Sequence, residues 1–266
     1  MTKFRKVAIE AATKAGKLLL NQYKTLKEED INKKGRHDLV TKADFVANRI
    51  IISTIKKYFP DHDILSEETG LEDNPDEYKW VIDPLDGTTN YIIKSPMFCT
   101  ALALVHQQEI IISVVYAPVL DELYIAEKGK GTYLNGKKIY VSKKVSLIES
   151  IITLSRTHHK KSHENYYKIQ SNSRKKLLNT RVLGSGSLDL AYVAAGRVEG
   201  CVFAPPDISL WDSLPGVLLV REAGGMATNL NGEEWGFKKS GIIATNKGIY
   251  KKLFKEIKKW KLLKAK

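Results

Sequence analysis

Two carboxylates separated by two residues follow an apolar run in Trp80-Val81-Ile82-Asp83-Pro84-Leu85-Asp86-Gly87-Thr88-Thr89-Asn90-Tyr91. The apolar residues predict a buried strand that ends at the acids, and Pro84 and Gly87 force a turn after it. The peptide carbonyl of Leu85 is thereby left free to join Asp83 and Asp86 as a hard oxygen ligand of the kind Mg²⁺ prefers. A glycine and hydroxyl-bearing turn beside such a grip suits a phosphate, so the chemistry suggested is metal-dependent phosphate chemistry. Asp-Pro and Asp-Gly are also ordinary turn formers. Val81 and Ile82 nevertheless draw Asp83 toward the interior, where a carboxylate without a cation is costly enough to be protonated or replaced. A positive partner is implied.

Other acids fall at element ends: Asp44, the turn Ser66-Glu67-Glu68, and Asp212 after Trp211. Taken singly, Asp44 and Asp212 read equally well as helix caps and Glu67 or Glu68 as solvated loop charges. The elements that would position them can be read from periodicity. Phe4, Val7, Ala8, Ala11, Ala15, Leu18 and Leu19 predict a first helix fading by Tyr23, followed by a polar link from Lys24 to Lys34. A second helical pattern opens with Asp38-Leu39-Val40-Thr41-Lys42-Ala43-Asp44 and stops at Pro60. Strands are predicted at 80–82, 98–105, 110–116 and 122–127, with a hairpin turn at Asn135-Gly136 before 138–141. Beyond a basic stretch from Arg156 to Arg181, a helix follows Gly184-Ser185-Gly186-Ser187 and a short strand lies near 200–204. Trp211-Asp212 then begins a helix that ends at Gly224-Gly225, and a strand at 242–245 leads into a last basic helix. Helices, then an antiparallel-looking sheet, then alternating strands and helices predict a layered α+β (mixed α/β) architecture.

At 266 residues and 43% hydrophobic content, the chain can bury a sizeable core as one domain. No linker marks a cut; the expectation is a single domain over 1–266, with helices and antiparallel sheet in 1–150 and an α/β part in 151–266. No run reaches the roughly 18 apolar residues of a membrane helix, and Met1-Thr2-Lys3-Phe4-Arg5-Lys6 opens no export segment, so a cytoplasmic protein without a membrane partner is expected. Cys99 and Cys201 form no ligand spacing. The net charge of +13 points to anionic substrates or to nucleic acid.

Four separated motifs, Asp38-Leu39-Val40-Thr41 with Asp44, Ser66-Glu67-Glu68, Asp83-Pro84-Leu85-Asp86-Gly87-Thr88-Thr89-Asn90 and Trp211-Asp212, occur in the order and rough spacing of the inositol monophosphatase family. The chain resembles that family from about Phe4 to Asn246. The resemblance implies an α/β/α/β/α layered sandwich of the inositol monophosphatase and fructose bisphosphatase type, with Mg²⁺-dependent and commonly Li⁺-inhibited activity. It implies that Glu67, Asp83, the Leu85 carbonyl, Asp86 and Asp212 hold two or three Mg²⁺ ions, with Asp83 bridging two. Thr88 and Asp44 would position and deprotonate the attacking water, with Glu67 also at the catalytic centre. Gly87, Thr88 and Thr89 would face the phosphate, and Gly184, Ser185, Gly186 and Asp212 the rest of the substrate. Charge counting agrees, because Glu67, Asp83, Asp86 and Asp212 cannot all stay ionised in one pocket without divalent cations. Metal-assisted, in-line hydrolysis of a phosphate monoester by water follows, and a homodimer is implied.

The substrate is less narrowly defined. Thr89-Asn90-Tyr91 resembles the inositol monophosphatase branch, whereas related nucleotide 3′-phosphatases more often carry Lys-Glu-Phe there. Arg181-Val182-Leu183-Gly184-Ser185-Gly186-Ser187 resembles the segment that approaches the substrate ring and also reads as a turn capping the next helix. Shortly before Trp-Asp the family usually presents an acid to ring hydroxyls; this chain has Phe203-Ala204-Pro205-Pro206-Asp207-Ile208-Ser209-Leu210 instead, with Asp207 at a shifted offset. Inositol 1-phosphate is the expected substrate, with fructose 1,6-bisphosphate, other sugar phosphates and nucleotide phosphates kept as alternatives. His158, His159 and His163 read as exposed loop residues, and 250–266 as a docking helix with a solvated lysine face. The charge also suits a second class, an RNA- or transcription-associated binding protein on a phosphatase fold, as some bacterial members of the resembled family are.

Overall fold

The computed structural model describes residues 2–33, 39–72, 77–206, 208–237 and 241–262. Helix α1 (Lys3–Thr25) turns Val7, Ala8, Ala11, Ala15 and Leu19 inward, as its spacing predicts. The second helical pattern begins later than expected. Leu39–Thr41 form a short strand, β2, antiparallel to β1 (Ile31–Lys33), and α2 (Lys42–Tyr58) starts only at Lys42. Thr41 sets that boundary: its side chain accepts from the Ala43 N–H while Asp44 reaches back to the Thr41 N–H, closing a capping box. Asp38 of the same motif lies outside the described residues.

Eight strands make the first sheet: β3 (Asp63–Ser66), β4 (Gly70–Glu72), β5 (Tyr78–Asp86), β6 (Cys99–His106), β7 (Glu109–Ala117), β8 (Glu122–Glu127), β9 (Gly131–Leu134) and β10 (Lys137–Ile139). Their order is β10-β9-β8-β7-β6-β5-β3-β4, antiparallel except for the parallel pair β3 and β5. Asn135 and Gly136, both at positive φ, form the expected two-residue hairpin turn. After β5 comes the short helix α3 (Thr88–Ile92). The second sheet contains β11 (Ile151–Arg156), β12 (Asn179–Arg181), β13 (Gly200–Ala204), β14 (Met226–Thr228) and β15 (Ile242–Thr245) in the order β12-β11-β13-β15-β14. Helices α4 (Lys160–Ser173), α5 (Gly186–Ala194), α6 (Leu210–Glu222) and α7 (Lys247–Lys259) complete the fold.

Strand alternation builds the layers. In β5 and β6, Trp80, Ile82, Leu102 and Leu104 pack toward α1 and α2, while Val81, Cys99, Ala101 and Ala103 pack toward α5 and α6. In the second sheet, Cys201, Phe203, Ile242 and Ala244 face α5 and α6, whereas Ile152, Leu154, Val202 and Ile243 face α4 and α7. The result is an α/β/α/β/α stack with a helix pair sandwiched between the two sheets. Among the described residues no helix is long and apolar enough to cross a membrane.

The sandwiched pair approaches closely at Gly216, where a Cβ would stand 2.4 Å from the Cβ of Leu190 on α5. Gly216 lies one turn after Asp212 on α6, so this contact helps fix where Asp212 sits. Gly216→Ala is expected to destabilise the fold by about 1–3 kcal/mol through overpacking. Thermal unfolding measures it, and an unchanged Tm would mean the helices separate freely.

Candidate active site

Strand β5 does not end at Asp83. It runs through Asp86 with its register against β6 broken between the two acids, where three residue steps on β5 face two on β6, so one extra residue forms a bulge. Two bonds hold the bulge: the Leu85 N–H donates to Asp83 Oδ1 at 3.1 Å, and the buried Thr100 hydroxyl donates to the Pro84 carbonyl at 3.0 Å. Glu67 follows β3, the parallel neighbour of β5, and its N–H donates to the Ile82 carbonyl. That bond places Glu67 beside Asp83, with which it shares a side-chain hydrogen bond. Asp212 arrives from the first turn of α6.

Asp83, Asp86 and Asp212 each bring a carboxylate oxygen within 4.8 Å of the others. Asp83 is 1% exposed and Asp86 6%, and neither pairs with a Lys or Arg among the described residues. Burial, then repulsion from Glu67, Asp86 and Asp212, pushes the Asp83 carboxyl well above the usual carboxylate range. Burial also raises Asp86, opposed in part by the N–H groups of Ser187 and Gly186 at the start of α5, which donate to it at 2.6 and 3.2 Å. A crowded set of carboxylate donors, Asp83 and Asp86 buried and Asp212 half-buried, fits a hard divalent ion and matches no thiolate or imidazole metal site.

The turn after Asp86 needs glycine. Gly87 has φ +94°, and a Cβ there would lie 2.9 Å from the Met97 carbonyl and 3.3 Å from that of Gly184. Asn90 draws the same segments together, its amide donating to the Met97 carbonyl at 2.6 Å and the Leu183 carbonyl at 2.7 Å. Thr88 then faces the interior of the site. Its hydroxyl has Asp44 Oδ1 at 3.2 Å and the Leu85 carbonyl at 3.1 Å as acceptors, while Asp44 Oδ2 accepts from the Thr41 N–H and hydroxyl at 2.8 and 2.7 Å.

These groups surround a cavity of about 500 Å³, well within the roughly 300–1,000 Å³ of small-molecule sites. Glu67, Asp83, Leu85, Asp86, Gly87, Thr88, Thr89, Gly184, Gly186 and Asp212, all singled out from the sequence, line it. Asp44 and Ser185 do not. Asp44 stands behind Thr88, and buried Ser185 caps α5, its hydroxyl accepting from the Leu188 N–H. Asp207 lies outside the described residues. The reading of the histidines as exposed loop residues agrees with His158 and His159, which are exposed in the connection between β11 and α4, and is corrected for His163, which is half-buried in the first turn of α4; His158 and His163 line the cavity with Arg156 and Trp211, and His159 caps α4. Motif reading passed over Arg156, His158, His163 and the tie through Asn90, and only the density of basic residues hinted at the first three.

The model of the inositol monophosphatase family matches residues 1–261. Inositol-1-monophosphatase of Mesorhizobium japonicum is 35% identical over 255 residues, covering 95% of each chain. Nus factor SuhB of Escherichia coli K12 is 38% identical over 247 residues, covering 92% of each. The crystal structure of the extragenic suppressor protein suhB from Bartonella henselae has a TM-score of 0.89 at 36% identity, covering 96% of this chain and 98% of that one. With the layered fold and the acid-lined cavity already in place, these matches establish that the chain belongs to the inositol monophosphatase family of phosphoric monoester hydrolases.

Proposed function

We infer that the protein hydrolyses phosphate monoesters of small polyols and sugars, inositol 1-phosphate among them, with two or three Mg²⁺ ions held by Glu67, Asp83, the Leu85 carbonyl, Asp86 and Asp212. The observation that carries this reading is the convergence of the Asp83, Asp86 and Asp212 carboxylates within 4.8 Å of one another on a cavity that also exposes Gly87, Thr88 and Thr89. When bound, Mg²⁺ supplies neutralisation of phosphate charge and a more acidic nucleophilic water. The chain's own groups do the rest. Gly87, Thr88 and Thr89 turn backbone N–H groups toward the phosphate. Thr88 Oγ1 accepts a proton from the attacking water as its own hydroxyl proton passes to Asp44 Oδ1. Thr88 touches the reacting water, and Asp44 acts through it. Gly184 and Gly186 provide a wall without side chains against which a ring can lie, and Asp212 accepts from a substrate hydroxyl. A cytoplasmic homodimer is part of the same reading.

A second reading has support in the relatives named Nus factor SuhB and in the net charge of +13: a transcription-associated role through contact with RNA. One experiment addresses both. Phosphate release from inositol, fructose, nucleotide and glycerol phosphates is measured with Mg²⁺ and with added Li⁺, alongside RNA titration at physiological salt. Mg²⁺-dependent, Li⁺-inhibited release from at least one ester is expected. Absence of turnover on all of them, with salt-sensitive RNA binding unchanged by Asp86→Ala, would replace the first reading with the second.

A further inference from the structure

The cavity has two chemically different walls. The first sheet and α6 contribute Glu67, Asp83, Asp86 and Asp212, the only acids among its described lining residues. The connection from β11 to α4 and the first turn of α4 contribute Arg156, His158 and His163. Arg156 is exposed, forms no ion pair among the described residues, and lies over the Tyr166 ring at 5.0 Å from its centroid, a contact that restrains the guanidinium without neutralising it. Val182, Phe203, Ile208 and Trp211 supply apolar surface to the same cavity.

The backbone beside this basic wall has its acceptors tied up. Parallel pairing sets Arg156 next to Ala204, so the Pro205-Pro206 segment runs beside Thr157. Three consecutive carbonyls in that segment accept from side chains of the neighbouring connection and helix. The Ala204 carbonyl takes Ser162 Oγ at 2.6 Å, Pro205 takes Asn165 Nδ2 at 2.8 Å, and Pro206 takes Thr157 Oγ1 at 3.2 Å. Carbonyls engaged in this way are poor partners for the hydroxyls of a polyol ring. A guanidinium and two imidazoles are instead suited to oxygens that carry charge.

We propose that Arg156, with His158 and His163, forms a second anion subsite that takes the remote phosphate of a bisphosphorylated substrate while the acid wall and its metal ions handle the phosphate that is cleaved. The proposal rests on the phosphatase reading and narrows its substrate class. A sugar bisphosphate and a nucleoside 3′,5′-bisphosphate share the required chemistry. Arg156 offers a bidentate pair of N–H donors to a group carrying about two negative charges, and the apolar surface accommodates the sugar or base between the phosphates.

The test compares kcat/KM in matched pairs with Mg²⁺: fructose 1,6-bisphosphate against fructose 1-phosphate, and adenosine 3′,5′-bisphosphate against adenosine 3′-phosphate, with inositol 1-phosphate as reference. For one pair the bisphosphate is expected to exceed its monophosphate by about 10-fold or more, chiefly through KM. Which pair shows the gain distinguishes sugar from nucleoside. Arg156→Ala and Arg156→Gln, both at an exposed position, are expected to lower that ratio by about 10- to 100-fold. Lys175→Ala, which changes net charge equally from an exposed turn outside the cavity lining, leaves the ratio as it was. Ratios near one for both pairs in the unmodified protein, or a ratio that the Arg156 variants do not move, overturn the subsite while leaving the phosphatase reading intact. No turnover of any compound, inositol 1-phosphate included, removes both.

Discussion

Asp44→Asn is expected to lower kcat by about 10²- to 10⁴-fold while the substrate KM and the Mg²⁺ activation midpoint stay within about twofold. The geometry separates these effects. Asp44 does not itself line the cavity, and its Oδ1 accepts from the Thr88 hydroxyl, which does, at 3.2 Å. Asparagine can still accept a hydrogen bond from Thr88 through its own Oδ1, but it cannot take up a proton, so the path for the proton leaving water is cut. Its amide can also satisfy only part of the capping box that Asp44 Oδ2 makes with Thr41, which costs about 1 kcal/mol of stability. That loss is too small to explain a kcat collapse, and the split between kcat and KM separates the two causes. A variant that retains most of its turnover would remove Asp44 from the proton path. A large rise in the Mg²⁺ midpoint would instead place it among the groups that hold the metal.

Much of this site was readable because its chemistry sits at element ends that local residues dictate. Asp83, Asp86 and Gly87 belong to one contiguous motif, so the carboxylates, the turn and the apolar strand that carries them could be read together. The alternation of Trp80, Val81 and Ile82 between the two sides of the first sheet likewise follows from strand period alone. The start of α2 was misplaced because Leu39 and Val40 satisfy an apolar helical pattern as well as a strand, and the Thr41 cap decides the matter. Helix α4 went unread for a different reason. Its fully buried positions include Ser162, Asn165 and Ser173, which hold loop carbonyls or the helix's own backbone, so no apolar stripe at helical spacing advertises it. The basic wall of the cavity exists only through the parallel pairing of β11 with β13, strands whose pairing residues stand 48 positions apart, as between Arg156 and Ala204. No local pattern encodes that pairing. The four motif acids, by contrast, need only the first sheet and the start of α6 to meet.

The second large effect concerns Asp83, and it has opposite signs for activity and stability. Asp83→Asn is expected to abolish turnover while making the metal-free protein more stable at neutral pH than the unmodified chain. Without metal, Asp83 is buried against Glu67, Asp86 and Asp212, and both burial and repulsion penalise its charge. An asparagine keeps Oδ1 as acceptor for the Leu85 N–H, 3.1 Å away in the native bulge, and turns an amide toward Glu67 in place of a like charge. A gain of about 1–3 kcal/mol is reasonable for relieving such a group. The pH dependence has a definite sign. A carboxyl whose pKa is raised on folding binds its proton more tightly in the native than in the unfolded state, so it lowers stability as pH rises. Metal-free native protein should therefore lose stability from about pH 4, the ordinary carboxylate range, upward through the elevated value of Asp83, and the variant should show a shallower decline. Saturating Mg²⁺ favours the ionised carboxylates and should flatten the curve of the unmodified protein by mass action, whereas Asp83→Asn should gain little from it. Thermal unfolding in EDTA and in Mg²⁺ between pH 5 and pH 8 reads all four curves. A variant less stable than the unmodified protein in EDTA at neutral pH would mean that the acid cluster is compensated without a metal, and the strain that makes it a cation site would have to be abandoned.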